Sequence, residues 1–309
     1  MKKYSSILLV ALVSVLLVAC SPNKKTETSQ GLKVVTTFYP MYDFTKKIVG
    51  DQGEVSMLIT GETEPHDYEP SAKDIAAIQD ADVFIYNSKE METWVAAVLA
   101  SIDTKKVEII EASQGIELLT GEESDEGHDQ DHDHAHGVDP HVWLDPVLAQ
   151  QEVATIAKGL SQVAPNDQAY FETTSQRLIA ELKTLDEAFS KAFKEAKNRD
   201  MVTQHAAFGY LAARYNLHQV AISGISPDQE PSPNELAKIQ DFVKKEKVEI
   251  IYTEELASDK IAKTIAEATG VKLVTLNTLE GLSNKQQAAG EDYLSVMEDN
   301  LKALSQSIK

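Results

Sequence analysis

The chain has 309 residues, with 29 Lys and Arg against 49 Asp and Glu and a formal net charge of −20. So acidic a chain lacks the clustered cations that non-specific nucleic-acid binding requires, and 42% hydrophobic with 25% charged residues is a globular composition, not a disordered one. The length allows about two domains of ordinary size, and a single cysteine excludes both an intramolecular disulfide and a cysteine-rich zinc site.

Residues 1–19 read as a signal peptide. Lys2 and Lys3 precede the apolar run Ile7–Val18, which only Ser14 interrupts. That run is too short for a bilayer span, which takes roughly 20 apolar residues, and fits the apolar region of a secretory signal. It ends in Leu17-Val18-Ala19-Cys20, which resembles a bacterial lipobox, with cleavage before Cys20 and a lipid on its thiol. Residues 20–31 then form a lipidated, polar tether. The mature protein is expected outside the cytoplasm, anchored to the cell membrane by lipid and otherwise soluble.

An N-terminal lobe is expected over residues 32–165. Its β-branched runs are Lys33–Phe38, Val55–Ile59, Asp82–Tyr86 and Val107–Ile110, with a helical pattern over Ser71–Asp80. Inside this lobe, residues 121–139 form an acidic His-rich loop. From Glu122 to Asp139 there are eight acidic residues and four histidines, His128, His132, His134 and His136, with no apolar period.

A linking helix is expected over 166–198, where Phe171, Ser175, Leu178, Leu182, Leu185, Phe189 and Ala192 recur at intervals of three or four and no Pro or Gly intervenes. At 1.5 Å per residue it would extend about 50 Å. The C-terminal lobe, 199–309, carries runs at Met201–Gln204, Gln219–Ile222, Val248–Tyr252 and Val271–Leu276, with a helical pattern over Asn234–Glu246. Strands alternating with helices imply parallel sheets covered on both faces. The expected fold is α/β: two similar lobes, each a four-stranded, mostly parallel sheet flanked by helices, joined by one long helix.

Chemistry-bearing residues fall just after the strands, where open parallel sheets bind ligands. His66 lies in Thr-Glu-Pro-His-Asp-Tyr-Glu-Pro, between Pro65 and Pro70 and past the second run. His141 lies in Asp-Pro-His-Val-Trp-Leu-Asp-Pro, directly after the His-rich loop. His205 follows the fifth run in Thr-Gln-His-Ala-Ala-Phe. Glu280 follows the last run, but Glu254 and Glu255 also follow a strand, and the pattern does not choose among the three. His218 precedes a strand and belongs to the opposite edge. Imidazole and carboxylate are zinc ligands, and four protein ligands close a tetrahedral shell, which suits holding an ion more than activating water. No His-Glu-x-x-His or Gly-rich phosphate loop occurs.

These motifs, in this order and behind a lipobox, resemble the metal-binding (cluster A-I) solute-binding proteins of ABC transporters, and among them the AdcA-type zinc-binding lipoproteins of Gram-positive bacteria. The likeness runs from about Gly31 to the end. It implies four metal ligands, His66, His141, His205 and Glu280, for Zn2+. It also implies delivery of the ion to an ABC permease and its ATPase for zinc uptake, no catalysis, a monomer, and no nucleic-acid partner. Manganese members carry a carboxylate where this chain has His205, so histidine there implies zinc. Many members have Asp where this chain has Glu280, and relatives often carry a second C-terminal zinc domain that these residues do not contain. The loop histidines are expected to collect zinc weakly. Three other functions are a manganese carrier, a surface adhesin and a zinc-dependent hydrolase.

Overall fold

A computed structural model describes residues 31–61, 63–120 and 137–309. The signal peptide, Cys20, the tether and the loop histidines His128, His132, His134 and His136 lie outside the described residues.

The first lobe runs β1 (Leu32–Thr36), α1 (Tyr39–Val49), β2 (Gly53–Met57), α2 (Ala72–Gln79), β3 (Val83–Tyr86), α3 (Val95–Ser101), β4 (Glu108–Glu111). Two helices follow, α4 (Pro146–Val163) and α5 (Gln168–Phe193). The second lobe runs β5 (Asp200–Thr203), α6 (Gly209–Tyr215), β6 (His218–Ala221), α7 (Pro233–Lys245), β7 (Ile250–Thr253), α8 (Lys260–Thr269), β8 (Lys272–Thr275), α9 (Asn284–Ala289), α10 (Tyr293–Leu304). The sheet orders are β2-β1-β3-β4 and β6-β5-β7-β8, and every strand pairing is parallel. The two lobes thus repeat one topology, and each reverses its strand order beside its first strand, where such sheets open a ligand crevice.

Helix starts follow local chemistry. Ser71 caps α2 in a reciprocal box with Asp74, and Ser232 caps α7 with Glu235, with Pro233 in the first turn. Asp145 caps α4 by accepting from the Val147 N–H, ahead of Pro146. Each cap is worth about 1 kcal/mol against alanine.

Strand periodicity splits the apolar residues between two faces. Val34, Val83, Ile85, Met201, Ile250 and Tyr252 join one large central cluster. Their neighbours Val35, Phe84 and Tyr86 face a second cluster on the outer side of the first sheet, and Val202 and Ile251 a third on the outer side of the second. The central cluster takes residues from both lobes and from the buried face of α5: Phe171, Leu178, Leu182, Leu185, Phe189 and Phe193. The core is therefore continuous across the lobes.

The long helix is shorter than the sequence pattern predicts, Gln168–Phe193 instead of 166–198, or about 39 Å. Its last apolar contact is Phe193, while Ala192 is exposed. Arg199 Nη2 donates to the Phe193 carbonyl, and the N–H groups of Lys197 and Asn198 turn to the Lys309 carbonyl. These long-range bonds satisfy the chain outside the helix and end it. The helix packs on α1 of the first lobe and on α6 and α10 of the second, and along its length on α4. Gly159 lets α4 sit close on the first sheet, since a Cβ there would lie 2.3 Å from Ile110 Cδ1.

Candidate metal centre

Each candidate side chain lies in a connecting segment, His66 after β2, His141 ahead of α4, His205 after β5 and Glu280 after β8. Pro65 and Tyr68 close a turn around His66, the Tyr68 N–H donating to the Pro65 carbonyl at 3.3 Å. His141 heads the single helical turn Val142–Leu144, and Asn87 Nδ2, just past β3, donates to the Pro140 carbonyl at 2.9 Å. Next to it Trp143 Nε1 donates to the Thr278 carbonyl at 2.8 Å, and Tyr293 Oη donates to the Trp143 carbonyl, so the His141 segment is tied to the second lobe. His205 stands two residues past β5, with Thr203 Oγ1 donating to its carbonyl at 2.8 Å. Glu280 follows Leu279, whose φ of +59° is a strained, left-handed conformation. The Leu279 N–H donates to Asn277 Oδ1 at 2.6 Å, and Asn300 clamps Asn277 through its N–H and carbonyl at 2.8 and 2.7 Å.

The four side chains converge. His66 Nε2 lies 3.1 Å from His141 Nε2, which lies 3.4 Å from His205 Nε2. Glu280 Oε1 lies 3.3, 3.2 and 3.4 Å from the Nε2 atoms of His66, His141 and His205. Zinc with N and O ligands at 2.0–2.2 Å requires tetrahedral edges of about 3.3–3.6 Å. Five edges of such a tetrahedron are therefore present within a few tenths of an ångström. Glu280 Oε1 is buried and has no hydrogen-bond partner, while its Oε2 accepts from Thr278 Oγ1 at 2.9 Å. An orphaned carboxylate oxygen facing three imidazole nitrogens is costly as a hydrogen-bonding arrangement and apt for a cation.

Electrostatics point the same way. Burial alone would push the His205 imidazole down, but the carboxylates of Glu280 and Glu254 raise it to about 10. His141 is raised too, against its burial, by Asp139 and Glu280. Glu280, which burial alone would raise, is held well below the usual carboxylate range by the imidazoles facing it, His205 foremost. Burial first, then the Glu280 charge, pushes the Glu64 carboxyl up to about 8. The pocket thus concentrates negative charge that draws protons onto its histidines, and a dication would replace those protons.

Two residues of this centre take a role, orienting a histidine, that the sequence pattern does not assign to them. Asp139 Oδ1 accepts from His141 Nδ1 at 2.7 Å and from its backbone N–H at 3.0 Å. Glu254 Oε1 accepts from His205 Nδ1 at 2.7 Å and from its N–H at 3.2 Å. Both bonds leave the Nε2 lone pair toward the cluster, as metal-ligating histidines require. The three acids that follow strands are placed differently: Glu254 bonds to a histidine, Glu280 faces all three imidazoles, and Glu255 is exposed. His218 stands at the opposite edge, at the start of β6, with Nδ1 2.8 Å from Asp200 Oδ1. His66, His141, His205 and Glu280 are the one group of potential metal ligands among the described residues.

Comparison with known proteins agrees with this geometry. Residues 34–307 match the family described as zinc-uptake complex component A, periplasmic. The chain is 48% identical over 313 residues to the high-affinity zinc uptake system protein ZnuA of Bacillus subtilis (strain 168), covering 99% of this chain and 98% of that one. It is 49% identical over 312 residues to the zinc-binding lipoprotein AdcA of Streptococcus pneumoniae (strain R6), of which it spans 61%. The crystal structure of the Zn(II)-bound ZnuA-like domain of Streptococcus pneumoniae AdcA superimposes with a TM-score of 0.78 at 47% identity, over 90% of this chain and 99% of that one. These are uptake components, not enzymes, and the expectation of a solute-binding protein with two four-stranded lobes stands. With a family match over residues 34–307 and a near-full-length match to a zinc uptake protein, the chain belongs to the family of zinc-uptake complex component A, the extracytoplasmic solute-binding part of an ABC transporter.

Proposed function

We propose that this protein captures Zn2+ as cargo in the cleft between its lobes, on His66, His141, His205 and Glu280, and hands it to an ABC permease driven by its ATPase. The observation that carries the reading is the near-tetrahedral set of three Nε2 atoms and one orphaned carboxylate oxygen. Three imidazoles favour zinc over manganese, which prefers oxygen ligands. Four protein donors leave no open position for an activated water, which argues against hydrolysis.

Cys20 would carry the lipid that holds the mature chain, a monomer, at the outer face of the cell membrane once residues 1–19 are removed. Among the described residues no helix is long and apolar enough to cross a membrane. His128, His132, His134 and His136 would supply weak, exchangeable zinc ligands that feed the cleft.

Titration of the mature protein and of His205→Ala with zinc, in competition with a chelator, tests the assignment. Tight binding of one ion that is lost in the variant is the expected result; unchanged tight binding removes it. Competition between zinc and manganese at equal free concentration separates the two carriers, and an adhesin role predicts partner binding indifferent to His66, His141 and His205.

A further inference from the structure

One buried acid has no part in the metal cluster. Glu152 sits on the inner face of α4, beside Ala149, Val153 and Ile156 of the central core, with 0% exposure. Neither of its carboxyl oxygens has a hydrogen-bond partner. The charge that bears on it is the carboxylate of Glu92, also with 0% exposure, just past β3. Glu92 has its donors: Thr37 Oγ1 at 2.5 Å and the N–H groups of Asn87 and Ser88 at 2.9 and 3.0 Å. The other titratable groups that feel Glu152 are the phenols of Tyr293 on α10 and Tyr210 on α6. Asn87, whose N–H holds Glu92, leaves its own Oδ1 buried with no donor.

An ionised carboxylate in this place would be a buried charge with no counter-ion, no donor and a second carboxylate nearby. Such a group costs several kcal/mol and takes up a proton instead. A neutral acid removes that buried charge and leaves only an unpartnered polar group, which costs far less.

We infer that Glu152, fully buried with neither carboxyl oxygen partnered, is held in the core as a neutral carboxylic acid that keeps one proton in the folded chain. Burial and Glu92 both act to keep the proton on, raising this carboxyl well above the usual range. The folded chain therefore binds a proton here that the unfolded chain, with an ordinary carboxyl, releases above about pH 4. Folding then takes up one proton at this position, and stability falls as pH rises through the neutral range.

The test compares the mature protein with Glu152→Gln, which keeps the shape and removes the acid. In urea titrations from pH 5 to pH 8 the ratio of the two unfolding constants should change by up to tenfold per pH unit, the variant gaining on the parent as pH rises. The infrared difference between the two at pH 7 should show the carbonyl stretch of a neutral carboxylic acid lost in the variant. Parallel stability curves, or a difference spectrum holding only ionised carboxylate bands, would overturn the inference. Should Glu152→Gln fail to fold, Glu152→Met, an apolar chain of similar length, replaces it in both measurements.

Discussion

Asp139 and Glu254 show how little of a metal site its direct ligands account for. Each fixes one imidazole by a 2.7 Å bond to Nδ1 while also holding the same residue's backbone N–H. Outer partners of this kind are worth about 10–100-fold in metal affinity. Asp139→Asn and Glu254→Gln should each weaken zinc by that factor while leaving the fold intact, as read by chelator competition and circular dichroism. Zinc binding should also be proton-linked. His205, with its imidazole raised to about 10, carries a proton at neutral pH in the metal-free protein, and the metal displaces it. Affinity should fall about tenfold for each displaced proton as pH drops by one unit. Calorimetry in buffers of different ionisation enthalpy would count the protons released. The three histidine motifs are legible in the sequence because each sits between rigid residues or directly after a strand. The acid is not, since Glu254, Glu255 and Glu280 all follow strands. Only the left-handed backbone at Leu279 and the Asn277–Asn300 clamp, contacts distant in sequence, aim Glu280 at the imidazoles.

Among the elements, α5 joins the parts. Its buried stripe was legible as far as Phe189, because an amphipathic period is a local property. Its C-terminal end was not, because Arg199 and Lys309 set it through bonds from outside the helix. Strand positions agree to within a residue or two for the same local reason, and the βαβ alternation gives the parallel pairing; the lateral order of the strands is set by long-range pairing and is not legible in the local pattern. α4 escaped the strand–helix alternation because it continues the first lobe past its last strand. Truncating the stripe near its C-terminal end should be costly: Phe189→Ala should destabilise the metal-free protein by about 3–5 kcal/mol in urea unfolding, since the ring is fully buried and stacks on Tyr215.

For the whole molecule, the continuous central core has a thermodynamic consequence. Lobes that share one apolar cluster and one helix lose their packing together, so calorimetry of the metal-free protein should show a single cooperative transition, where independent lobes would give two. The same linkage limits rotation. Scattering curves of the metal-free and zinc-loaded protein should differ only slightly, and a large closure would contradict a rigid link through α5.

Each half of the chain contributes two of the four proposed donors: His66 and His141 from the first, His205 and Glu280 from the second. Neither half alone is more than a two-toothed claw. The grip on the ion is therefore a property of how firmly the halves clasp one another. A change far from the cluster that loosens that clasp should therefore weaken the hold on the ion.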